Sequence, residues 1–177
     1  MSDAQANAPV AEAAPRFAAA LSALPHCISQ SPDGPVIEVE LASLHAVLRA
    51  LRDDAGFELC TFVTCIDHYP AQPRFALHHQ LLSLAHNDRV RVRCVLPGES
   101  APTCTDLWPG ANYMERECFD MFGVRFEGHP DLRRLLMPDG YDHHPLRKEF
   151  PHHGIEPDRL YREWDRARRA SWTEDAQ

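Results

Sequence analysis

Five prolines pace the C-terminal part of this chain. Pro130, Pro138, Pro145, Pro151 and Pro157 are separated by 8, 7, 6 and 6 residues. Each lacks a backbone N–H, and each pushes the residue before it out of helical space. No long helix and no central strand survives that cadence. Yet the segment is not composed like a linker, because Leu132, Leu135, Leu136, Met137, Tyr141, Leu146 and Phe150 recur as apolar anchors at irregular spacing. Ordering backbone costs roughly 1–2 kcal/mol per residue, and a run with few internal hydrogen bonds does little to offset it. Structureless stretches of this length are unusual inside a compact domain. The pattern predicts an extended arm over 129–157, its anchors seated on another surface. A neighbouring subunit is favoured over the arm's own domain. An arm this long can bury an interface of the large, permanent class, above roughly 2,000 Å².

Residues 15–128 read as one α/β (α+β) domain, with helices packed on a mixed, partly antiparallel sheet. Phe17, Leu21 and Leu24 mark one face of a short helix. PVIEVE is a strand. Leu41, Leu44, Val47, Leu48 and Leu51 form a helical stripe closed by Gly56. ELCTFVTCID reads as a strand buried on both sides. FALHHQLLSL and RVRVRCVL are two more, joined by AHND. In the last, Val90, Val92 and Cys94 alternate with Arg89, Arg91 and Arg93, giving an apolar face and a guanidinium face. That row is a solvated sheet face or, in the sharper reading, a partner-facing one. A helix follows Asn112, with Glu115 three residues later as a capping box. Its polar side carries Glu115, Arg116, Glu117 and Asp120, with Arg116 and Asp120 spaced as i, i+4 partners.

Composition excludes several classes. At 177 residues and 44% hydrophobic, the chain supports one core. A net charge of −8 disfavours nucleic acid. No run of 18 apolar residues suits a spanning helix. Positions 1–14 are an Ala/Pro-rich disordered tail without the basic and apolar regions of a secretory signal. Positions 158–177, in which the stretch RLYREWDRARRASW is basic, are a C-terminal segment with the potential to form a terminal helix. Six cysteines, at 27, 60, 65, 94, 104 and 118, contain no CxxC. Cys60 and Cys65 are an odd number of residues apart, so an even strand would send them to opposite faces. Free thiols in a reducing compartment are the expectation.

The polar cluster tempts a catalytic reading. However, the capping box accounts for Glu115, and a solvated helix face accounts for its neighbours. His143 and His144 are adjacent and diverge on an extended chain, His152 and His153 repeat this, and His129 stands alone. No HExxH, GxGxxG, GxxxxGK[ST] or GxSxG occurs. The sequence therefore predicts no catalytic, cofactor-binding or metal-ligating residue. Arg133, Arg134, Arg147 and Lys148 are offset by Asp131, Asp139, Asp142 and Glu149, a mixed pattern suited to a protein surface.

ERECFDMFGVRFEGHPDLRRLL resembles the signature of the thirty-kilodalton subunit of respiratory complex I, the family of the C subunit of bacterial NADH–quinone oxidoreductase. The likeness extends through DLWPGANYMERE and GYDHHPLRKEFP, and more loosely through FVTCIDHYP and the LLSL and RVRV strands. It departs where His143 replaces the usual glycine before His-Pro-Leu-Arg, and where Tyr113 replaces a frequent tryptophan. The resemblance implies a peripheral-arm subunit on the cytoplasmic face of the bacterial inner membrane. It implies no redox cofactor in this chain, with NADH, FMN, iron–sulfur clusters and quinone held by other subunits. It also implies docking on the D subunit, the forty-nine-kilodalton-type protein that helps form the quinone site. Docking residues would be Glu115, Arg116, Glu117, Asp120, His129, Pro130, Leu132, Arg133, Arg134, Leu135, His144, Pro145, Leu146, Arg147, Lys148 and Phe150. Related subunits serve membrane-bound hydrogenases and formate hydrogenlyase, which is the alternative assembly. An independent metal-dependent enzyme is the remaining alternative.

Overall fold

The computed structural model describes residues 15–138, 140–155, 162–163 and 165–169. The expected N-terminal tail lies outside them, as does most of the C-terminal segment. Five strands form one sheet: β1 (Cys27–Ser31), β2 (Gly34–Val39), β3 (Leu59–Asp67), β4 (Phe75–Ser83) and β5 (Asp88–Leu96). Their order is β1-β2-β5-β4-β3. The β2–β5 pair is parallel and the rest are antiparallel. Between β2 and β3 the chain crosses over through helix α1 (Leu44–Asp53). Then β6 (Ser100–Pro102) and β7 (Arg125–Glu127) form a parallel pair flanking helix α2 (Ala111–Phe122). This is the mixed α+β architecture that the sequence pattern predicts.

The core lies between one sheet face and the helices. Ile37, Leu77, Leu81, Val92 and Cys94 come from the sheet, Leu44, Val47, Leu48 and Leu51 from α1, and Cys118 from α2. The apolar stripe of α1 is the buried one, as its spacing requires. Phe17 and Leu21 are buried as expected, but Phe17 lies on a single 3₁₀ turn, Arg16–Ala18, and Leu21 in the turns after it. Gly56 takes the positive φ of +70° that ends the helical segment.

Two strand expectations need correction. Strand β3 is an edge strand, and Leu59, Phe62 and Ile66 face outward and are exposed. It is not buried on both sides. A bulge between Cys60 and Phe62 adds one residue, so Cys60 pairs with Leu81 and Cys65 with Leu77. Both thiols thus face the core side, because Leu77 and Leu81 share a face. Parity failed because the strand is not even. All six cysteines are free, and burial pushes the Cys65 thiol up to about 12 and Cys94 to about 11.

His79 sits fully buried in β4, and neither ring nitrogen has a hydrogen-bond partner among the described residues. Burial pushes its pKa down to about 3. Its neighbour His78 falls to about 4, from burial first and then from Arg93 and Arg91. Unfolded histidines titrate near ~6.5. Below that pH the unfolded chain takes up protons that the folded chain refuses, so stability falls as pH falls. The slope reaches up to about 1.4 kcal/mol per pH unit for each such histidine, less where solvent screens it. Urea unfolding between pH 7 and 5 should show this decline, and His79→Leu should flatten it. An unchanged slope in the variant would show that His79 is not its source.

Candidate interaction site

The last turn of any helix leaves four carbonyls without intrahelical partners. At the end of α2 the chain itself supplies those partners, one from Gly123 and the rest from the segment that returns after residue 129. Gly123 caps the helix at φ +79° and donates to Phe119 O at 2.9 Å. His144 Nδ1 donates to Asp120 O at 2.9 Å. Leu146 N–H donates to Met121 O at 3.1 Å, and Arg147 Nε to Phe122 O at 2.6 Å. Arg134 Nη1 also reaches Asp120 O at 3.4 Å, so two guanidinium groups, Arg134 and Arg147, stand at the negative end of the helix dipole. Glycine at 123 is required twice over. A Cβ there would lie 2.7 Å from His144 Nε2 and against the Arg147 guanidinium, and the positive φ strains any other residue.

The polar side of α2 is not a solvated face. Glu115, Arg116 and Asp120 are buried, and only Glu117 of the four is exposed. No capping box forms. The helix begins at Ala111 after Gly110, and Glu115 instead accepts from Thr103 Oγ1 at 2.6 Å and Cys104 N–H at 2.7 Å. Nor do Arg116 and Asp120 pair. Arg116 donates to the carbonyls of Arg133 and Arg134 at 3.1 and 3.0 Å. Asp120 accepts the N–H groups of Leu135, Leu136 and Met137 at 3.1, 2.7 and 2.8 Å, and Arg134 Nη1 at 2.6 Å. Burial pushes the Asp120 carboxyl up. Those three amides and Arg134 outweigh it and leave the pKa lowered.

A third carboxylate holds the far end of the arm. Asp67, at the end of β3, accepts Arg74 in a fork at 2.9 and 2.7 Å, Tyr69 N–H at 2.9 Å and Lys148 N–H at 2.9 Å. Arg74 also pairs with Glu149. The Arg74 fork first, then the Lys148 and Tyr69 amides, hold Asp67 well below the usual carboxylate range despite burial. Arg147 reaches Glu99 at 2.9 Å. Sequence reasoning did not single out Asp67, Arg74 or Glu99. Asp67 was legible only as a carboxylate ending a strand.

The other residues named from sequence are placed as follows. His129 has a buried side chain whose Nδ1 accepts Asp131 N–H at 3.0 Å, so Nε2 donates to Asn112 O at 3.2 Å. Pro130 and the side chains of Arg133 and Lys148 are exposed, Leu132 packs on the core, and Leu135, Pro145 and Phe150 are half-buried. Leu146 and Leu136 point outward, 51% and 58% exposed. His143 packs its ring against Tyr141 and Phe150, at 5.4 and 6.3 Å between centroids. Among the described residues no group of three His, Cys, Asp or Glu side chains is placed to hold a metal.

Two substitutions test the clamp. Asp120→Ala strands three amides and a guanidinium, at a cost of about 3–5 kcal/mol. Trypsin should then cut after Arg133, Arg134, Arg147 or Lys148 at least tenfold faster, with the sheet's circular dichroism retained. Gly123→Ala should do the same from the opposite side. Cutting at the wild-type rate in both variants would show that α2 does not hold the arm.

Comparisons with known proteins identify the family. The family model described as "Respiratory-chain NADH dehydrogenase, 30 Kd subunit" matches residues 37–156. The chain is 38% identical to the C subunit of NADH-quinone oxidoreductase from Xanthomonas campestris pv. campestris, over 68% of each protein. It is 41% identical to the C subunit from Citrifermentans bemidjiense, over 70% of this chain and 76% of the relative. A solved trypsin-resistant fragment (1–134) of Nqo5 superposes with a TM-score of 0.55 at 34% identity, covering 60% of this chain and 89% of the fragment. A chain of the archaeal membrane-bound sulfane sulfur reductase shares the fold, with a TM-score of 0.67 at 23% identity over 76% and 82% of the two chains. The fold, the signature on α2 and the arm, and these relatives together show that the chain belongs to the "30 Kd subunit" family of respiratory-chain NADH dehydrogenase, the family of the C subunit of NADH–quinone oxidoreductase.

Proposed function

We propose that this chain is a scaffold subunit of the peripheral arm of NADH–quinone oxidoreductase, with no redox cofactor of its own. It docks through the arm on the D subunit, the forty-nine-kilodalton-type protein, at the cytoplasmic face of the inner membrane. NADH, FMN, iron–sulfur clusters and quinone belong to other subunits. The membership of named subunits of a multi-subunit respiratory enzyme supports this. No helix among the described residues is long and apolar enough to cross a membrane. In this reading, attachment to the membrane runs through the assembly.

The carrying observation is the arm's geometry. Polar groups face inward and are saturated by the arm's own domain, while Leu136, Leu146 and Ile155 face outward at 58%, 51% and 38% exposure. A segment ordered before binding loses less entropy on docking. The saturation of Asp120 and Asp67 also argues against catalysis. Their lowered pKa values keep both ionised, which removes them as proton donors near neutral pH.

Leu136→Gln combined with Leu146→Gln tests this reading. Exposed substitutions shift stability by only about 0.5 kcal/mol, so the isolated chain should melt as before. Its incorporation into the purified complex should fall at least tenfold, and NADH–quinone reductase activity of the membranes should fall with it. Undiminished incorporation would contradict the proposal. So would NADH or quinone turnover by the isolated chain.

A further inference from the structure

Among the described residues, no helix covers the second face of the five-stranded sheet. On this face Phe62 and Ile66 of β3 stand opposite Gln80 and Ala76 of β4, and Gln80 stands opposite Arg91 of β5. The β3 edge is apolar and open, with Leu59 41%, Phe62 51% and Ile66 42% exposed. A water-facing side of an antiparallel sheet ordinarily alternates to polar residues. Here three large apolar side chains lie along one strand instead.

Two strands away runs the guanidinium row. Arg91 and Arg93 meet Asp33 and Glu38 at 3.5 and 3.1 Å, but those carboxylates are 76% and 47% exposed. Such pairs are worth little and leave the cations available. Arg89 is exposed and makes no ion pair among the described residues. Three cations in one column are a local excess in a chain of net charge −8. Strands of five, six, nine, nine and nine residues, at ~3.3 Å per residue and ~4.8 Å spacing, give a face of roughly 600 Å². That approaches the ~800 Å² per partner of a standard protein interface.

Extending the assembly reading, we infer that this open face is a second docking surface, covered by an acidic amphipathic segment of a neighbouring protein subunit. Its apolar residues cover Phe62 and Ile66, and its carboxylates pair with Arg89 and Arg91. The apolar edge and the arginine row lie two strand spacings apart, roughly 10 Å, which is the width of one helix. A polyanion or anionic bilayer fits less well. A polyanion offers no apolar cover for Phe62, and the extended negative charge of an anionic bilayer meets more long-range repulsion from the chain's net charge of −8 than one short acidic segment does.

The test is hydroxyl-radical footprinting of the native detergent-purified complex against the isolated chain. At Phe62 and Ile66 we expect at least fivefold protection in the complex. Arg89→Glu with Arg91→Glu in the full chain should abolish that protection, and Arg89→Gln with Arg91→Gln should weaken it. Equal reactivity in complex and isolated chain overturns the inference, as does protection that survives charge reversal. Binding of the isolated chain to phosphatidylglycerol vesicles, lost on charge reversal and without protection in the complex, overturns it in favour of lipid. Leu136 and Leu146 serve as the control in the same experiment. If they are protected and Phe62 is not, only this inference fails. If the chain is found in no complex, the assembly reading fails with it.

Discussion

The C-terminal end of α2 cannot stand alone. Its final carbonyls point out of the helix, and the chain turns away at once through Gly123 with a left-handed φ of +79°. Capping comes from 24 or 25 residues downstream, where His144, Leu146 and Arg147 return their donors to Asp120, Met121 and Phe122. The helix end and the arm therefore need each other. Without the arm, α2 ends on bare carbonyls. Without α2, the proline-paced segment has few hydrogen bonds to offset its ordering cost. Glu115, Asp120 and Asp67 extend the same logic to the loop before α2, the first half of the arm and its far end.

This dependence separates what the conspicuous side chains do from what they suggest. A buried acid beside histidines and arginines reads as an active site. Here Asp120 and Asp67 each accept four donors and Glu115 accepts two, and backbone amides are among the donors to all three. Such an environment stabilises the ionised form and immobilises it. The outcome is a rigid ridge whose inward side is polar and closed and whose outward side is apolar. That division of labour suits a subunit of a larger electron-transfer assembly.

Much of the fold was legible because it rests on periodicity. The α1 stripe, the alternation of β5 and the β4–β5 connection all follow from spacing. The bulge in β3 was not legible, since one inserted residue leaves no mark in composition, and it reversed the predicted relation of Cys60 to Cys65. The largest misreading concerned α2. Its charged side looked solvated because charged helix faces usually are, and Asn112 with Glu115 matched a capping box by spacing alone. The corrective signal lay in the arm. A segment whose prolines leave many amides and carbonyls unpaired needs charged partners, and the preceding helix carried an acid–base–acid set at 115, 116 and 120. Sequence reasoning assigned the arm's anchors mainly to a foreign surface. The structure places its polar grips on its own domain and leaves part of its apolar surface facing outward.

The central claim is that the arm is ordered by its own domain before any partner arrives. Amide hydrogen exchange of the isolated wild-type chain, resolved at Leu135, Leu136, Met137 and Leu146, tests it most directly. Those four amides should exchange at least a hundredfold slower than an unstructured peptide, about 2.7 kcal/mol of protection at 1.36 kcal/mol per decade. Exchange at the rate of an unstructured peptide, with protection appearing only in the assembled complex, would show that the partner orders the arm and that the intrachain clamp does not.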